Sequence, residues 1–409
     1  MGKSTHFSGQ PLYSQVINLL NKSKILQLSR EHGGERYIKS FNGWSHLVVM
    51  LYAVIKRFDS LREISASMLG EARKLSHLGI NSMPRRSTLA DANKRRPEAV
   101  FEAIYRDLYT TYRSQLCSDS RKQKMPKWMK HLQIIDSTTI TLFSNLLFKG
   151  VGRHPKTGKK KGGIKVHTVI HANEGVPSDI KFTSAATNDS FMLRPGKLKK
   201  GDIVAMDRAY IDYAKFEELT QREVIYVTKM KKNLRYEVLD DLMYQAPEGL
   251  MEVRVQHVVF RKTLNKENVI THHARIITHV NVGKRKLISL LTNDMESDPT
   301  EIIDIYHQRW EIETLFKQMK QNFPLKYFYG ESANAIKIQI WVTLIANLLL
   351  MVMQKGLKRP WSFSGLATMV RINLMYYVDF YSLFNSPEKD WEMLLRNKDA
   401  PIQQLSLFG

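Results

Sequence analysis

Three acidic residues in this sequence could together bind divalent metal ions. Asp136 and Asp207 each follow a short apolar run, Leu132–Ile135 and Ile203–Met206, so each is predicted to end a β-strand. Ligands collect at the carboxyl ends of strands in an α/β sheet, and Glu313 is expected on a helix packed on that sheet. Carboxylate oxygens suit Mg²⁺ and Mn²⁺. Two such ions can activate an attacking oxygen and stabilise a leaving oxygen in phosphoryl transfer.

The segment that carries Glu313 begins with a helix-start signal. Asp298-Pro299-Thr300-Glu301 supplies an N-cap, a proline in the first turn and a glutamate three residues on. Polar residues follow at offsets of three, four and seven, namely Tyr306, Arg309, Glu313 and Lys320. At about 100° per residue they form one stripe, on which cations could hold phosphates beside a metal-binding glutamate. A salt-bridge ladder on the helix surface is the alternative for this helix alone.

Taken together, three segments resemble the DDE transposases of bacterial insertion sequences. They are Ile135-Asp136-Ser137-Thr138-Thr139, Asp207-Arg208-Ala209-Tyr210 and Tyr306-x-x-Arg309-x-x-x-Glu313-x₆-Lys320. The chain is most similar to insertion-sequence family four, which is known for its Tyr-Arg-Glu-Lys signature, and the resemblance covers roughly residues 10–355. One departure is Ala209, where glycine is commoner in the family.

The resemblance implies a ribonuclease-H-like catalytic core in which Asp136, Asp207 and Glu313 bind two Mg²⁺ (or Mn²⁺) ions. Arg309 and Lys320 would then hold phosphates near the cut, and Tyr306 would donate a hydrogen bond to one. Family members cut a mobile element from DNA at its terminal inverted repeats, working as homodimers on paired ends, and paste it into target DNA. A hairpin intermediate is implied by analogy only.

Charge agrees with a nucleic-acid partner. The 409 residues include 62 Lys+Arg and 39 Asp+Glu, a formal net charge of +23, which favours a polyanion as partner, with an acidic membrane surface second. A generally basic soluble protein is the alternative. The single cysteine, Cys117, excludes an internal disulfide framework and fits a bacterial cytoplasm, where the protein is expected on the nucleoid.

Two basic segments are candidate DNA contacts. The first is a short helix predicted to begin at Ser87, with basic residues before it and at its end, namely Arg85, Arg86, Lys94, Arg95 and Arg96. The second is a glycine-containing loop with Lys159, Lys160 and Lys161, suited to following a phosphate backbone. An ordinary solvated helix face is the alternative for the first.

Periodicity divides the chain into five parts. Residues 1–125 are predicted to be a helical DNA-binding domain, and 126–220 the first part of an α/β core. Residues 221–296 read as a β-rich insertion, and 297–330 return to the core with the Glu313 helix. Residues 331–409 form a C-terminal helical region and tail, so the expected fold class is α/β with an inserted β module and flanking helices.

Three further features have both a functional and a structural interpretation. His167 is expected to pack inside the protein rather than bind phosphate, and Asn188-Asp189-Ser190 to begin and cap a helix, with Asp189 as a fourth metal ligand the alternative. Ile340–Met353 is apolar but too short to span a bilayer. We interpret it as a buried core helix and expect no membrane partner.

The end of the sequence carries a possible docking motif. The segment Gln404-Leu405-Ser406-Leu407-Phe408 resembles the pentapeptide by which bacterial proteins bind the replication sliding clamp. The contacts would come from Gln404, Leu405, Leu407 and Phe408. Folding of this tail onto the protein's own helices is the alternative.

Two other functions stay open at this point. One is a non-catalytic DNA-binding protein derived from a transposase, and the other is a related nuclease without strand transfer. Three converging carboxylates argue against the first, because an inactive relative has no physical need for them.

Overall fold

Helices and strands occupy different parts of the chain. The computed structural model describes residues 8–81, 83–117, 125–141, 163–185, 187–245, 252–265, 268–281, 286–389, 391–392 and 395. In these residues the α-helices are α1 Leu12–Ile17, α2 Lys22–Glu31, α3 Gly43–Lys56, α4 Leu61–Gly70, α5 Arg86–Arg95, α6 Glu98–Leu116, α7 Tyr213–Gln221, α8 Pro299–His307, α9 Trp310–Asn322, α10 Ala333–Lys355, α11 Phe363–Asn373 and α12 Phe380–Asn385. The β-strands are β1 Leu132–Thr141, β2 Gly163–His171, β3 Pro177–Ser184, β4 Ile203–Met206, β5 Ile225–Lys229, β6 Glu237–Gln245, β7 Glu252–Asn265, β8 Asn268–Asn281 and β9 Lys286–Thr292.

The chain divides into two units, which we call the helical unit and the sheet unit. The helical unit contains Met1–Gln115 and Gln318–Gly409, and the sheet unit contains Leu116–Lys317. The described strands all lie in the sheet unit, so the carboxylates predicted at strand ends belong to it.

In the helical unit, α10 is the central helix, and α1, α3, α5 and α11 pack against it. It has a mean hydropathy of 1.9 over its most apolar window, of which 89% is buried. The apolar segment expected within 340–353 is therefore a core helix, as predicted, although it starts seven residues earlier, after the N-cap Ser332. The helix ends at Lys355, with Gly356 as its C-cap.

The sheet unit is built on one mixed sheet with the strand order β3-β2-β1-β4-β5-β9-β8-β7-β6. Strands β1, β4 and β5 run parallel, and β2 and β3 continue antiparallel on one side. Helix α7 packs on β5 and β8, and helix α8 packs on β4 and β5. Because α8 lies on the central parallel strands, the chain that follows it is brought to the ends of those strands.

The strand-rich segment that we predicted as an insertion extends this sheet. Strand β9 pairs antiparallel with β5, and β8, β7 and β6 follow outward. Strands β6, β7, β8 and β9 all lie within the segment predicted to be β-rich, but the signal for β6 is the weakest. Strand β6 is an exposed edge strand in which charged residues alternate poorly with apolar ones, so its sequence lacks the periodicity of a half-buried strand.

The helix that we predicted to run continuously from Pro299 through Lys320 is broken. Helix α8 ends at His307 and α9 begins at Trp310, with Gln308 and Arg309 in a turn between them. The predicted cap at its start is confirmed, because the Asp298 side chain accepts a hydrogen bond from the Thr300 N–H at 2.7 Å. The break means that the signature residues do not share a single helical stripe.

Candidate active site

Strand register places Asp136 and Asp207 at the same level of the sheet. Ile135 of β1 pairs with Met206 of β4 in the parallel ladder, so each aspartate is the next residue on a neighbouring strand. Strand β4 ends before Asp207, as predicted, but β1 continues to Thr141 in its pairing with β2. Asp136 therefore lies within a strand rather than at its end. What ends at Ile135 is only the parallel pairing with β4.

Glu313 joins this site through Arg309. The Arg309 Nη1 atom lies 2.6 Å from Glu313 Oε1 and 3.6 Å from Asp136 Oδ2. The guanidinium is 7% exposed and lies 5.5 Å from the Tyr306 ring centre and 5.3 Å from that of Trp310. One cation thus bridges carboxylates from β1 and α9, and its Nε atom is buried without a hydrogen-bond partner among the residues that the structure describes.

The three carboxylates influence one another electrostatically. Burial, together with the charges of Asp207 and Glu313, raises the pKa of Asp136 to about 6, and the Ser137 N–H and Arg309 oppose this shift. The Ser137 N–H donates to Asp136 Oδ1 at 2.7 Å. Clustered carboxylates with one raised pKa favour binding of an additional cation, because a cation relieves their mutual repulsion.

The arrangement suits a metal ion chemically but does not yet have metal-site geometry. Within the described parts of the chain, no group of three or more His, Cys, Asp or Glu side chains is close enough to hold one ion. The Arg309 guanidinium lies where a bridging cation would be expected, between Asp136 and Glu313. The donor set of Asp136, Asp207 and Glu313 fits a hard divalent ion, which would have to replace this guanidinium.

Asp189 is a further carboxylate beside the site. Its Oδ1 atom accepts a hydrogen bond from the Ser137 hydroxyl at 2.7 Å, and Lys165 Nζ lies 3.3 Å from both carboxylate oxygens. Ser137 thus connects Asp189 to Asp136 through its own backbone N–H. Asp189 begins a short 3₁₀ turn, as predicted, and the capping side chain there is that of Asn188.

His167 is fully buried beside Asp189. Its Nε2 atom lies 2.7 Å from the Thr183 hydroxyl, its Nδ1 atom lies 3.3 Å from Asp189, and its ring packs edge-on against Phe191. Burial lowers its pKa to about 4, with Asp189 opposing and Lys165 assisting the shift. The packed role that we predicted for this histidine agrees with its zero exposure.

The buried histidine predicts an acid-sensitive fold. Because His167 takes up its proton at a lower pH in the folded than in the unfolded chain, the unfolded state binds more protons between about pH 6.5 and 4. The free energy of unfolding should fall by up to about 3 kcal/mol as the pH drops through this window. Urea unfolding of wild type and His167→Gln at a series of pH values measures it. Parallel pH profiles for the two proteins would contradict the assignment.

The predicted basic helix exists, with different boundaries and exposures. It begins at Arg86 rather than Ser87, its N-cap position is Arg85, and no side chain caps it. Four of the predicted basic residues are exposed, namely Arg85, Arg86, Lys94 and Arg95, and Arg95 pairs with Asp91 at 2.7 Å.

Arg96 differs from these four, because it is 4% exposed and donates to the backbone carbonyls of Gly34 and Phe41. Its guanidinium therefore stabilises the fold, a role that local sequence does not indicate because the partners are distant in the chain.

Of the remaining predicted contact residues, Lys320 lies in the described part of the chain and the others do not. Lys320 is exposed on α9, two turns after Glu313. Lys159, Lys160 and Lys161 and the tail residues Gln404, Leu405, Leu407 and Phe408 lie outside the described residues.

A cationic groove of about 870 Å³ opens beside the carboxylates and was not predicted. Asp207, Arg309 and Trp310 are among the residues that line it. Its basic lining comprises Arg208, Lys229, Lys231, Lys232, Lys286, His279 and His307. The run Lys229-Met230-Lys231-Lys232 directly after β5 is the signal that could have identified it.

An α/β sheet with clustered carboxylates and an adjoining cationic groove defines a class of protein, the enzymes that process nucleic acid through acidic residues. Comparison with known families gives the particular family. The model described as "Transposase DDE domain" matches residues 127–349, more than half of the chain, and the chain belongs to this family. A domain of unknown function, DUF4372, matches residues 8–81.

The names of individual relatives agree with this family assignment. A Sinorhizobium fredii protein named as a transposase is 28% identical over 269 residues, covering 66% of this chain and 71% of the relative. A Synechocystis protein named as the transposase of insertion sequence element IS4SA is 25% identical over 267 residues, 64% of this chain and 70% of the relative. The transposase of IS231C from Bacillus thuringiensis is 20% identical over 382 residues, 81% of this chain and 77% of the relative. The protein is thus a DNA-binding, metal-dependent enzyme of DNA transposition.

Proposed function

We propose that this chain moves a bacterial insertion sequence by a cut-and-paste route, with Asp136, Asp207 and Glu313 as its catalytic acids. The observation that carries the proposal is that Asp136 and Glu313 both contact Arg309, while Asp207 lies at the same level of the central strands and acts electrostatically on Asp136, beside a cationic groove. The strand order around β1, β4 and β5, with antiparallel β2 and β3, supports a ribonuclease-H-like core. Residues 126–220 and 297–330 would form this core, and 221–296 its insertion.

The three carboxylates would hold two Mg²⁺ (or Mn²⁺) ions. When bound, the ions activate the attacking oxygen, first of water and then of a DNA 3′-OH, and stabilise the leaving oxygen. The carboxylates would have to be ionised to hold them, and the raised pKa of Asp136 shows that this requires a compensating cation. In the metal-free protein Arg309 supplies that compensation.

The cationic side chains would position the DNA strand. With the carboxylates neutralised by a divalent ion, the Arg309 guanidinium would be available to a phosphate, to which its planar fork can donate two hydrogen bonds. Burial raises the pKa of Tyr306, so its phenol stays protonated and can donate to a phosphate oxygen. The groove lysines would hold the DNA backbone, and Lys320 would hold a phosphate near the cut.

The partners and location follow from the same proposal. DNA with terminal inverted repeats and target DNA would be the substrates, a homodimer would act on paired ends, and the cytoplasmic nucleoid would be the site of action. A sliding clamp would bind residues 404–409, and loss of clamp pull-down on deletion of those residues would test this partner.

A plasmid assay tests the proposed function. Supercoiled DNA carrying the inverted repeats that flank the reading frame is incubated with the protein and Mg²⁺. Cutting at the repeats together with joined products supports the proposal. Cutting alone indicates a nuclease without strand transfer, and no reaction despite DNA binding indicates a non-catalytic DNA-binding protein.

The groove makes a separate prediction about binding. Replacing Lys231 and Lys232 by alanine should reduce the dependence of log Kd on log salt by up to about two, because each lysine that neutralises a phosphate releases about one counterion. Fluorescence anisotropy on labelled duplex DNA between low and moderate salt measures this slope. Lys262→Ala is the matched control, since this lysine is exposed on β7 and does not line the groove. A slope unchanged in the double variant would exclude the groove as a DNA path.

A further inference from the structure

A loop in the helical unit, residues 34–41, is fixed at both ends by one buried arginine. Arg96 Nε donates to the Gly34 carbonyl oxygen and Arg96 Nη2 to that of Phe41, each at 2.9 Å. The side chain is 4% exposed, so these bonds are shielded from water. Arg96 therefore closes the loop, which we call the presenting loop.

The inner side of the presenting loop is also ordered. The Glu35 carboxylate points inward and accepts hydrogen bonds from the Ser29 hydroxyl and from the Gly43 N–H at 2.7 Å. Gly34 packs so closely on α2 and α6 that an added Cβ would lie 2.5 Å from Ser29 Oγ and 2.8 Å from Val100 Cγ2. The loop is thus a preformed structure and not a slack connection between α2 and α3.

At its tip this ordered loop holds a tyrosine away from the protein. The Tyr37 side chain is fully exposed to solvent. Its backbone φ is 56°, in the left-handed region that disfavours residues with a Cβ. Exposing an aromatic ring gains no burial energy, and the backbone conformation is strained as well. Neither feature helps the fold, so both suggest that Tyr37 contacts a partner.

The surroundings of Tyr37 specify the charge of that partner. Arg36 and Lys39 are exposed on the same loop, and Arg95 lines the same cavity, of about 710 Å³, from α5. Of the carboxylates in the cavity lining or on the loop, Asp91 binds Arg95, Glu35 is turned inward, and Glu31 accepts a hydrogen bond from Gln27, so the exposed cations outnumber the free acids. Arg85, Arg86 and Lys94 add to the positive charge along α5. The loop and the helix together present an aromatic ring within a cationic surface.

We propose that the presenting loop and α5 form one preorganised binding surface for duplex DNA. Arg36 and Lys39 contact phosphates, and Tyr37 packs its ring on the sugar-phosphate backbone while its hydroxyl donates to a phosphate oxygen. Arg96, which we had predicted as a DNA contact, is instead the positioning residue that closes the loop. The inference deepens the proposed function and rests on its DNA binding.

Anisotropy with a labelled 30-base-pair duplex, using the full chain, tests the surface. Tyr37→Ala should weaken binding about tenfold with little change in salt dependence, because stacking and packing are not ionic. Arg36→Ala combined with Lys39→Ala should lower the salt slope by about two. Tyr376→Ala is the matched control, since Tyr376 is 63% exposed and lies outside this surface.

Tyr37→Gly distinguishes a binding role from a structural one. Glycine relieves the strain at a φ of 56°, so this variant should unfold at the same or a higher temperature than wild type while binding DNA as weakly as Tyr37→Ala. Wild-type affinity in both Tyr37 variants would overturn the loop's role and leave the proposed function standing. A wild-type protein that does not bind duplex DNA would overturn the proposed function and this inference with it.

Discussion

A Glu313→Gln variant is expected to fold and bind DNA like wild type but to lose cleavage and strand transfer by at least about a thousandfold. Glutamine keeps the shape of the side chain, and its amide oxygen can still accept the Arg309 hydrogen bond, which is 2.6 Å long in the wild-type protein. What it removes is the negative charge that a divalent ion requires. The loss should therefore appear in the chemical step and not in DNA affinity.

Glu311→Gln supplies the control for this substitution. Glu311 lies on the same helix two residues earlier and is exposed, and it has no hydrogen bond to Arg309. The Glu311→Gln variant should cleave DNA like wild type at the same Mg²⁺ concentration. Full nicking by Glu313→Gln on the plasmid that carries the element ends would exclude Glu313 as a catalytic acid.

An Arg309→Gln variant is expected to be less stable than wild type by about 2 kcal/mol when no metal is present. The Asp136 side chain is 18% exposed and that of Glu313 is 39% exposed, so removing Arg309 leaves two partly buried carboxylates without their cation. The figure is lower than for a fully buried pair because water screens Glu313. Saturating Mg²⁺ should restore most of the lost stability, since the ion supplies the missing positive charge.

Urea unfolding in EDTA and in Mg²⁺ measures both effects. Arg208→Gln serves as the control, because Arg208 is exposed in the turn after Asp207 and has no ion pair among the described residues. An Arg309 variant that is as stable as wild type in EDTA would show that the guanidinium does not compensate the carboxylates.

Much of the sheet and most of the helices could be predicted from local signals. Strand β4 is a short apolar run, β2 and β3 carry recurring apolar residues between turns, and the cap at Asp298 marks the start of α8. Such signals depend on neighbours within a few residues and survive tertiary packing. The edge strand β6 lacks them because it is exposed on both faces.

The features that the sequence did not predict depend on distant contacts. The break before Trp310 lets Arg309 turn inward onto Asp136, a residue more than 170 positions earlier. Asp189 meets Ser137 across 52 residues, and Arg96 closes a loop 55 to 62 residues away. Local sequence patterns treat Arg309, Asp189 and Arg96 as surface residues, because such patterns contain no information about the strand or loop that each side chain contacts.

The central claim, that Asp136, Asp207 and Glu313 together hold the metal, can be tested by iron-directed cleavage of the polypeptide. Protein loaded with Fe²⁺ in place of Mg²⁺ is treated with ascorbate and hydrogen peroxide, and the radicals cut the backbone next to the ion. The account predicts fragments that end near all three residues, suppressed by excess Mg²⁺ and weakened together in Glu313→Gln. Cuts near only one of the three segments, or cuts that Mg²⁺ does not suppress, would contradict it.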